Sequence, residues 1–311
     1  MKQLSLEAFE RARQFLKTRA RPFERAMFER RFERGSMESV VAELARFQNA
    51  DGGFGHALEP DSRTPGSSAL ATGIALRSCN ELGCDAQNPM VRRAIGYLLA
   101  TFNPQSQVWR VAPHEANDSP HAPWWHDENN SLASTFSGFY IIPRVLILAS
   151  LWHFSDAVSR DWLEVLTANA VKYIEDVQVL GGGGGSDLEY AIILAETENL
   201  PRGYKERLIE RIRAAIPKVV VRDRAKWNSY CITPLKIAPS PQALGSDLIW
   251  DDLQANLDYE IEHQTSEGTW DPTWTWGGMY PDAWEQAKLE WRGHLTLEML
   301  TTLRAFGRIE K

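Results

Sequence analysis

The sequence has few cysteines, no long apolar run, no excess of basic residues and no hairpin signal. Its three cysteines, Cys79, Cys84 and Cys231, form no Cys-x-x-Cys pair. That excludes a disulfide framework and a cysteine-rich zinc site. The longest apolar stretch, Phe139 to Phe154, is shorter than a bilayer crossing and contains Pro143 and Arg144. Met1 to Glu7 has no apolar run of signal-peptide length, so a cytoplasmic protein without a transmembrane segment is expected. Lys and Arg number 34 against 41 Asp and Glu, a net charge of −7. Nucleic acid as main partner would call for a basic face, so none is expected. Residues 1–35 depart from that balance, with 10 basic and 5 acidic groups. They read as a basic helical extension, able to touch a phosphate or an anionic membrane surface, or simply solvated.

What is abundant is tryptophan, 12 in 311 residues, together with helical periodicity. After a Ser36 cap, Val40, Leu44 and Phe47 share one helical face. Pro89 opens a second amphipathic segment. Trp162 to Ile174 and Tyr204 to Ile216 are a third and fourth, each with a charged face. Between them lie segments that are apolar almost all round, the mark of burial on every side: Ser67 to Leu82, Tyr190 to Ala195, and Asp282 to Phe306. Ser186-Asp187-Leu188-Glu189 reads as a capping box ahead of the second of these. Amphipathic and buried helices therefore alternate, about twelve in all.

The loops repeat. Gln48-Asn49-Ala50-Asp51-Gly52-Gly53-Phe54 and Gln264-Thr265-Ser266-Glu267-Gly268-Thr269-Trp270 share Gln-x3-Gly-x-aromatic. Degenerate copies sit at Gln105, with Trp109 but no glycine, and at Gln178, with Gly181 but no aromatic. A Gln at a helix C-terminus can bond a neighbouring backbone end, Gly permits the tight turn, and the aromatic packs on the next repeat. These residues are therefore expected to staple the fold.

The repeat resembles the QW motif of squalene cyclases and the Gln-x-x-Asp-Gly-Gly-Phe repeats of protein prenyltransferase β-subunits. The resemblance runs from residue 48 to residue 270. It implies an all-α fold, an α/α toroid of alternating outer and inner helices in a closed ring, with residues 1–311 as one domain. Departures accompany it. The prenyltransferase zinc set needs an Asp two residues before the Cys, but Ser229-Tyr230 precede Cys231. The cyclase Asp-x-Asp-Asp survives only as Ile249-Trp250-Asp251-Asp252, where Asp251 stands at the proton-donor position. Full-length triterpene cyclases also carry a second helical domain that these residues do not match, so a shorter substrate or a different activity is expected.

Three loops concentrate candidate chemistry. Gly55 to Arg63 holds His56, Glu59, Asp61 and Arg63, either a catalytic cluster or an ion-paired loop. His121 to Asn130 holds Trp124, Trp125 and His126, suited to a cavity wall that stabilises a carbocation by cation–π attraction, or to an aromatic plug. His121 and His126 lack a third metal ligand nearby, so no metal site is expected. Trp270 to Gly278 holds Trp274 and Trp276, which share a face if the segment is extended. The five glycines Gly181 to Gly185 lead into a helix without a nucleotide-loop Lys, and read as a flexible spacer.

The leading expectation is a terpenoid cyclase-like or prenyl-substrate enzyme. Its acid would be Asp251, with Asp252 beside it, or one of Glu59, Asp61 and His56. Arg63, Trp124, Trp125, His126, Trp250, Trp274 and Trp276 would bind a small isoprenoid substrate. No cofactor is expected, unless a diphosphate substrate brings Mg²⁺. The acid must remain protonated near neutral pH, which requires burial or a like-charged neighbour. Two alternatives remain: a carbohydrate-active toroid enzyme, stacking sugars on its Trp loops between paired carboxylates, and a non-catalytic toroid that binds lipid or peptide.

Overall fold

The computed structural model describes residues 1–182 and 185–310, and the chain they trace is helical. Thirteen α-helices are found among the described residues, with 3-10 turns and isolated bridges but no strand. Gly183 and Gly184 of the glycine run lie outside the described residues. No described helix is long and apolar enough to cross a membrane.

The chain forms two compact units, one of residues 45–215 and one of residues 1–44 with 216–311. In the first, α4 (Ala69–Glu81), α7 (Arg144–His153) and α9 (Ser186–Glu196) pack side by side in that order. The amphipathic α5 (Pro89–Thr101) lies on α4, and α8 (Arg160–Asp176) lies on α7. Burial follows the sequence pattern. Every residue of α7 from Arg144 to Trp152 is buried, whereas α8 buries only one stripe, including Leu163, Leu166, Ala170 and Ile174. Each buried Leu or Ile contributes about 1.5–3 kcal/mol.

In the second unit α1 (Leu6–Thr18), α2 (Pro22–Phe32) and the long α13 (Pro281–Ala305) pack on one another. The short α11 (Pro234–Ile237) packs on α12 (Trp250–Glu262). The basic residues 1–35 contain α1 and α2, and several of their charges are paired. Lys17 pairs with Glu33 at 2.7 Å and Arg31 with Glu298 at 2.8 Å. The two ends of the chain meet. Leu4 donates to the Arg308 carbonyl (2.7 Å), and Glu310 donates back to Leu4 (3.0 Å).

The Ser36 cap read from sequence is present, and the structure adds one at Ser68. Ser36 Oγ accepts from the Ser39 N–H, and Ser68 Oγ caps α4 through Ala71. The Ser186 box is corrected. Ser186 is the first residue inside α9, and Gly185 takes the cap in a left-handed conformation (φ 101°) open to glycine.

The two well-formed repeats have the same anatomy. Gln48 Nε2 donates to the Gly52 carbonyl (2.9 Å) and to the Met90 carbonyl in the first turn of α5 (2.9 Å). Gln264 Nε2 donates to the Gly268 carbonyl (3.0 Å) and to the Ala8 carbonyl in the first turn of α1 (3.1 Å). Phe54 N–H bonds Thr72 Oγ1 of α4, and Trp270 N–H bonds Thr296 Oγ1 of α13. Gly52 and Gly268 are both left-handed. A Cβ on either would sit about 2.5 Å from the backbone of the helix that the Gln anchors, at Arg93 or at Arg11–Ala12. The degenerate copy at 105 lacks this anatomy. Gln105 is exposed, and Trp109 instead buries its ring and donates Nε1 to Leu98 (2.6 Å).

Candidate functional site

In the unit of residues 45–215 the structure joins two of the three loops singled out by sequence. Ser62 and His121 form an antiparallel bridge. Arg63 N–H donates to Pro120 (3.0 Å), and Ala122 N–H donates to the Asp61 carbonyl (2.8 Å). The bridge brings the His56–Arg63 loop and the His121–Asn130 loop into one substructure.

The first loop turns sharply. His56 and Ala57 are both left-handed, at φ 53° and 58°, a cost borne by residues other than glycine. The turn is held by the His56 N–H to Thr64 (3.1 Å) and by the His56 side chain, whose Nε2 donates to Asn49 Oδ1 (2.8 Å). His56 is exposed and clasps the repeat turn. Asp61 is buried, Glu59 half-buried with its Oε2 sealed from solvent, and Arg63 half-buried with Nη1 near the Pro60 carbonyl (3.4 Å).

In the second loop the Trp pair divides as adjacent residues must. Trp125 is buried and stacks on Phe136 (4.9 Å between centroids, 13° between planes), while Trp124 stays half-exposed. Trp125 Nε1 is sealed from water with no acceptor. His121 is fully buried and His126 exposed. Their rings lie nearly parallel, with Nε2 of His121 3.1 Å from Nδ1 of His126. The next residue, Asp127, is engaged elsewhere. Burial opposes its ionisation, but the Arg110 guanidinium and the Leu132 N–H outweigh burial and hold the carboxyl below its usual range. Asn117 clamps the Asp127 backbone on both sides, donating to its carbonyl and accepting from its N–H.

The other unit holds the remaining candidates. Asp251 and Asp252 occupy the first turn of α12, where the helix dipole favours carboxylates. Asp251 is exposed and Asp252 faces Arg222 at 3.2 Å. Neither side chain is buried. Trp250 is 45% exposed and packs on Phe306 beside a cleft of about 510 Å³, which Gln254 and Arg308 also line. Trp274 and Trp276 join different neighbours. Trp274 meets Trp291 and Tyr230 edge-on (5.1 and 5.8 Å), while the buried Trp276 packs on Trp284 (5.7 Å).

Sequence reasoning passed over Glu260. Protein surrounds its carboxyl, and burial pushes it up to about 7 despite a hydrogen bond from Asn256 (3.2 Å). The residue nevertheless keeps part of its surface open. Asn256 turns its other end to the Leu235 N–H (3.1 Å), tying α12 to α11. In sequence, an Asn–Glu pair four apart on an amphipathic helix reads as surface, so no signal marked it.

Among the described residues, no group of three or more His, Cys, Asp or Glu side chains could hold a metal ion. Set against protein-family models and curated proteins, the chain matches none.

Proposed function

We propose that this chain is an α/α-toroid enzyme of the terpenoid cyclase and prenyltransferase kind, acting on an isoprenoid-type substrate, with its reacting groups on the paired loops of the 45–215 unit. The observation that carries the reading is the bridge between Ser62 and His121. It gathers two carboxylic acids, a guanidinium, a histidine pair and a half-exposed tryptophan in one substructure. The shared anatomy of the Gln48 and Gln264 repeats supports the fold half of the proposal, because these are the two motifs on which the QW resemblance mainly rests.

In this reading Asp61 or Glu59 donates a proton to an alkene or epoxide. The resulting cation lies against the Trp124 ring, whose quadrupole is worth about 2 kcal/mol or more in a desolvated site. Glu260, in the other unit, meets the burial criterion for an acid and is the competing assignment.

Incubation with isoprenoid diphosphates and squalene-type polyenes, followed by mass spectrometry, tests the proposal. A cyclised product that falls about 100-fold or more in Asp61→Asn or Glu59→Gln supports it. Loss in Glu260→Gln or Asp251→Asn alone moves the acid to the other unit. No turnover of any isoprenoid by the wild-type protein overturns the reading.

A further inference from the structure

The stacked histidines carry more than their place in the loop. His121 Nδ1 lies 2.6 Å from the Ser119 carbonyl oxygen. A carbonyl can only accept, so Nδ1 of His121 bears the hydrogen, and in the neutral ring its Nε2 bears a lone pair. That lone pair faces Nδ1 of His126 at 3.1 Å, which must therefore donate. The hydrogen of His126 is committed to Nδ1, and its Nε2 is left bare on an exposed ring. Free histidine prefers the opposite tautomer, with hydrogen on Nε2, and His56 shows that form by donating Nε2–H to Asn49. His121 itself is fully buried and held by the Ser62 bridge, so it is a fixed partner.

We propose that His126 is a general base whose lone pair is aimed by His121, and that it takes the proton that ends the cation chemistry. This rests on the isoprenoid reading above and names the group that completes it. The step is a simple transfer. A C–H next to the cationic carbon gives its proton to His126 Nε2, and the C–H pair becomes the new alkene bond. The positive charge on His126 is then stabilised through Nδ1–H···Nε2 of His121, backed by the Ser119 carbonyl, until the proton passes to solvent. The adjacent Asp127 does not compete for the imidazole, because Arg110 and Leu132 occupy its oxygens. Trp124 sits two residues away on the 3-10 turn Pro123–Trp125, which His126 caps, and supplies an aromatic face close in sequence to the base. His121 is a positioning residue, since it acts only through His126.

Two measurements on the full chain test this. In long-range ¹⁵N–¹H spectra of the neutral histidines, His126 is expected as the Nδ1–H tautomer, and His56 as Nε2–H. In His121→Phe, which keeps a flat ring but removes the acceptor, His126 should revert to mostly Nε2–H. An Nε2–H tautomer for His126 in the wild-type protein overturns the relay. In the isoprenoid assay, His126→Gln should lower the ratio of alkene to hydroxylated, water-quenched products by about tenfold or more. An unchanged ratio overturns the role as base. Absence of wild-type turnover overturns the isoprenoid reading instead, and the tautomer signal alone then decides whether His121 locks His126.

Discussion

Glu260 shows how a single residue can put a pH dependence into the whole fold. Its carboxyl ionises near 4.5 when unfolded and at about 7 when folded, because burial disfavours the charge. Between those values the folded chain binds the proton more tightly than the unfolded chain does. The stability it contributes is therefore complete below about 4.5 and is lost as pH rises through 7. Glu260→Gln stays neutral throughout and keeps a side chain able to face Asn256. It should be up to about 3 kcal/mol more stable than the wild-type chain above pH 7, less whatever water screens at the open edge. Little difference should remain near pH 4.5. Urea midpoints at the two ends of this range check it, and a variant-to-wild-type difference that does not vary with pH would contradict it. Asp127 has the opposite sign. The Arg110 guanidinium stabilises its charged form, so that contribution is present above the usual carboxylate range and lost in acid. Arg110→Gln should thus destabilise at neutral pH by about 1–3 kcal/mol and weaken the acid dependence.

At the scale of elements the repeats are anchors to helices distant in sequence. Each Gln amide holds its own turn closed and grips a first-turn carbonyl of α5 or α1. Gln48→Ala and Gln264→Ala each remove two hydrogen bonds, so each should cost about 1–3 kcal/mol. Gly52→Ala and Gly268→Ala should cost as much or more. They combine a left-handed backbone with a Cβ driven into the helix backbone at Arg93 or at Arg11–Ala12. Denaturant midpoints with unchanged slopes would confirm that native contacts are what is lost. Gln105→Ala is the control. That side chain is exposed and grips no neighbouring helix, so its midpoint should barely move. The residue types of this device were readable from Gln-x3-Gly-x-aromatic alone. The partner carbonyls were not, since Met90 lies 42 residues from Gln48 and Ala8 lies 256 from Gln264.

At the scale of the whole molecule, the unit built from both ends of the chain depends on a few contacts between its first and last residues. Arg308 is buried, donates to the Lys2 carbonyl (2.6 Å) and to Gln254 (3.0 Å), and pairs with Asp258. Arg308→Ala unties the N-terminus from α12 and α13 together. A loss of about 2–4 kcal/mol is expected, with earlier proteolysis at residues 1–5. Calorimetry is the suitable readout, because two compact units need not melt in one transition. An unchanged melting profile would show that the paired termini add no stability.

Periodicity, capping residues and the repeated turn were enough, by themselves, to establish an all-helical chain and the approximate place of most helices. These depend on neighbours within a few residues, which the sequence displays directly. The same local reasoning placed a histidine, two acids and a Trp pair on two loops, and it could go no further. Whether those loops touch depends on a bridge between residues 62 and 121, which periodicity and capping do not display. The burial of Glu260 and the exposure of Asp251 were likewise decided by packing. A carboxylate's environment is set by what lies across space from it, and residue order does not encode that locally.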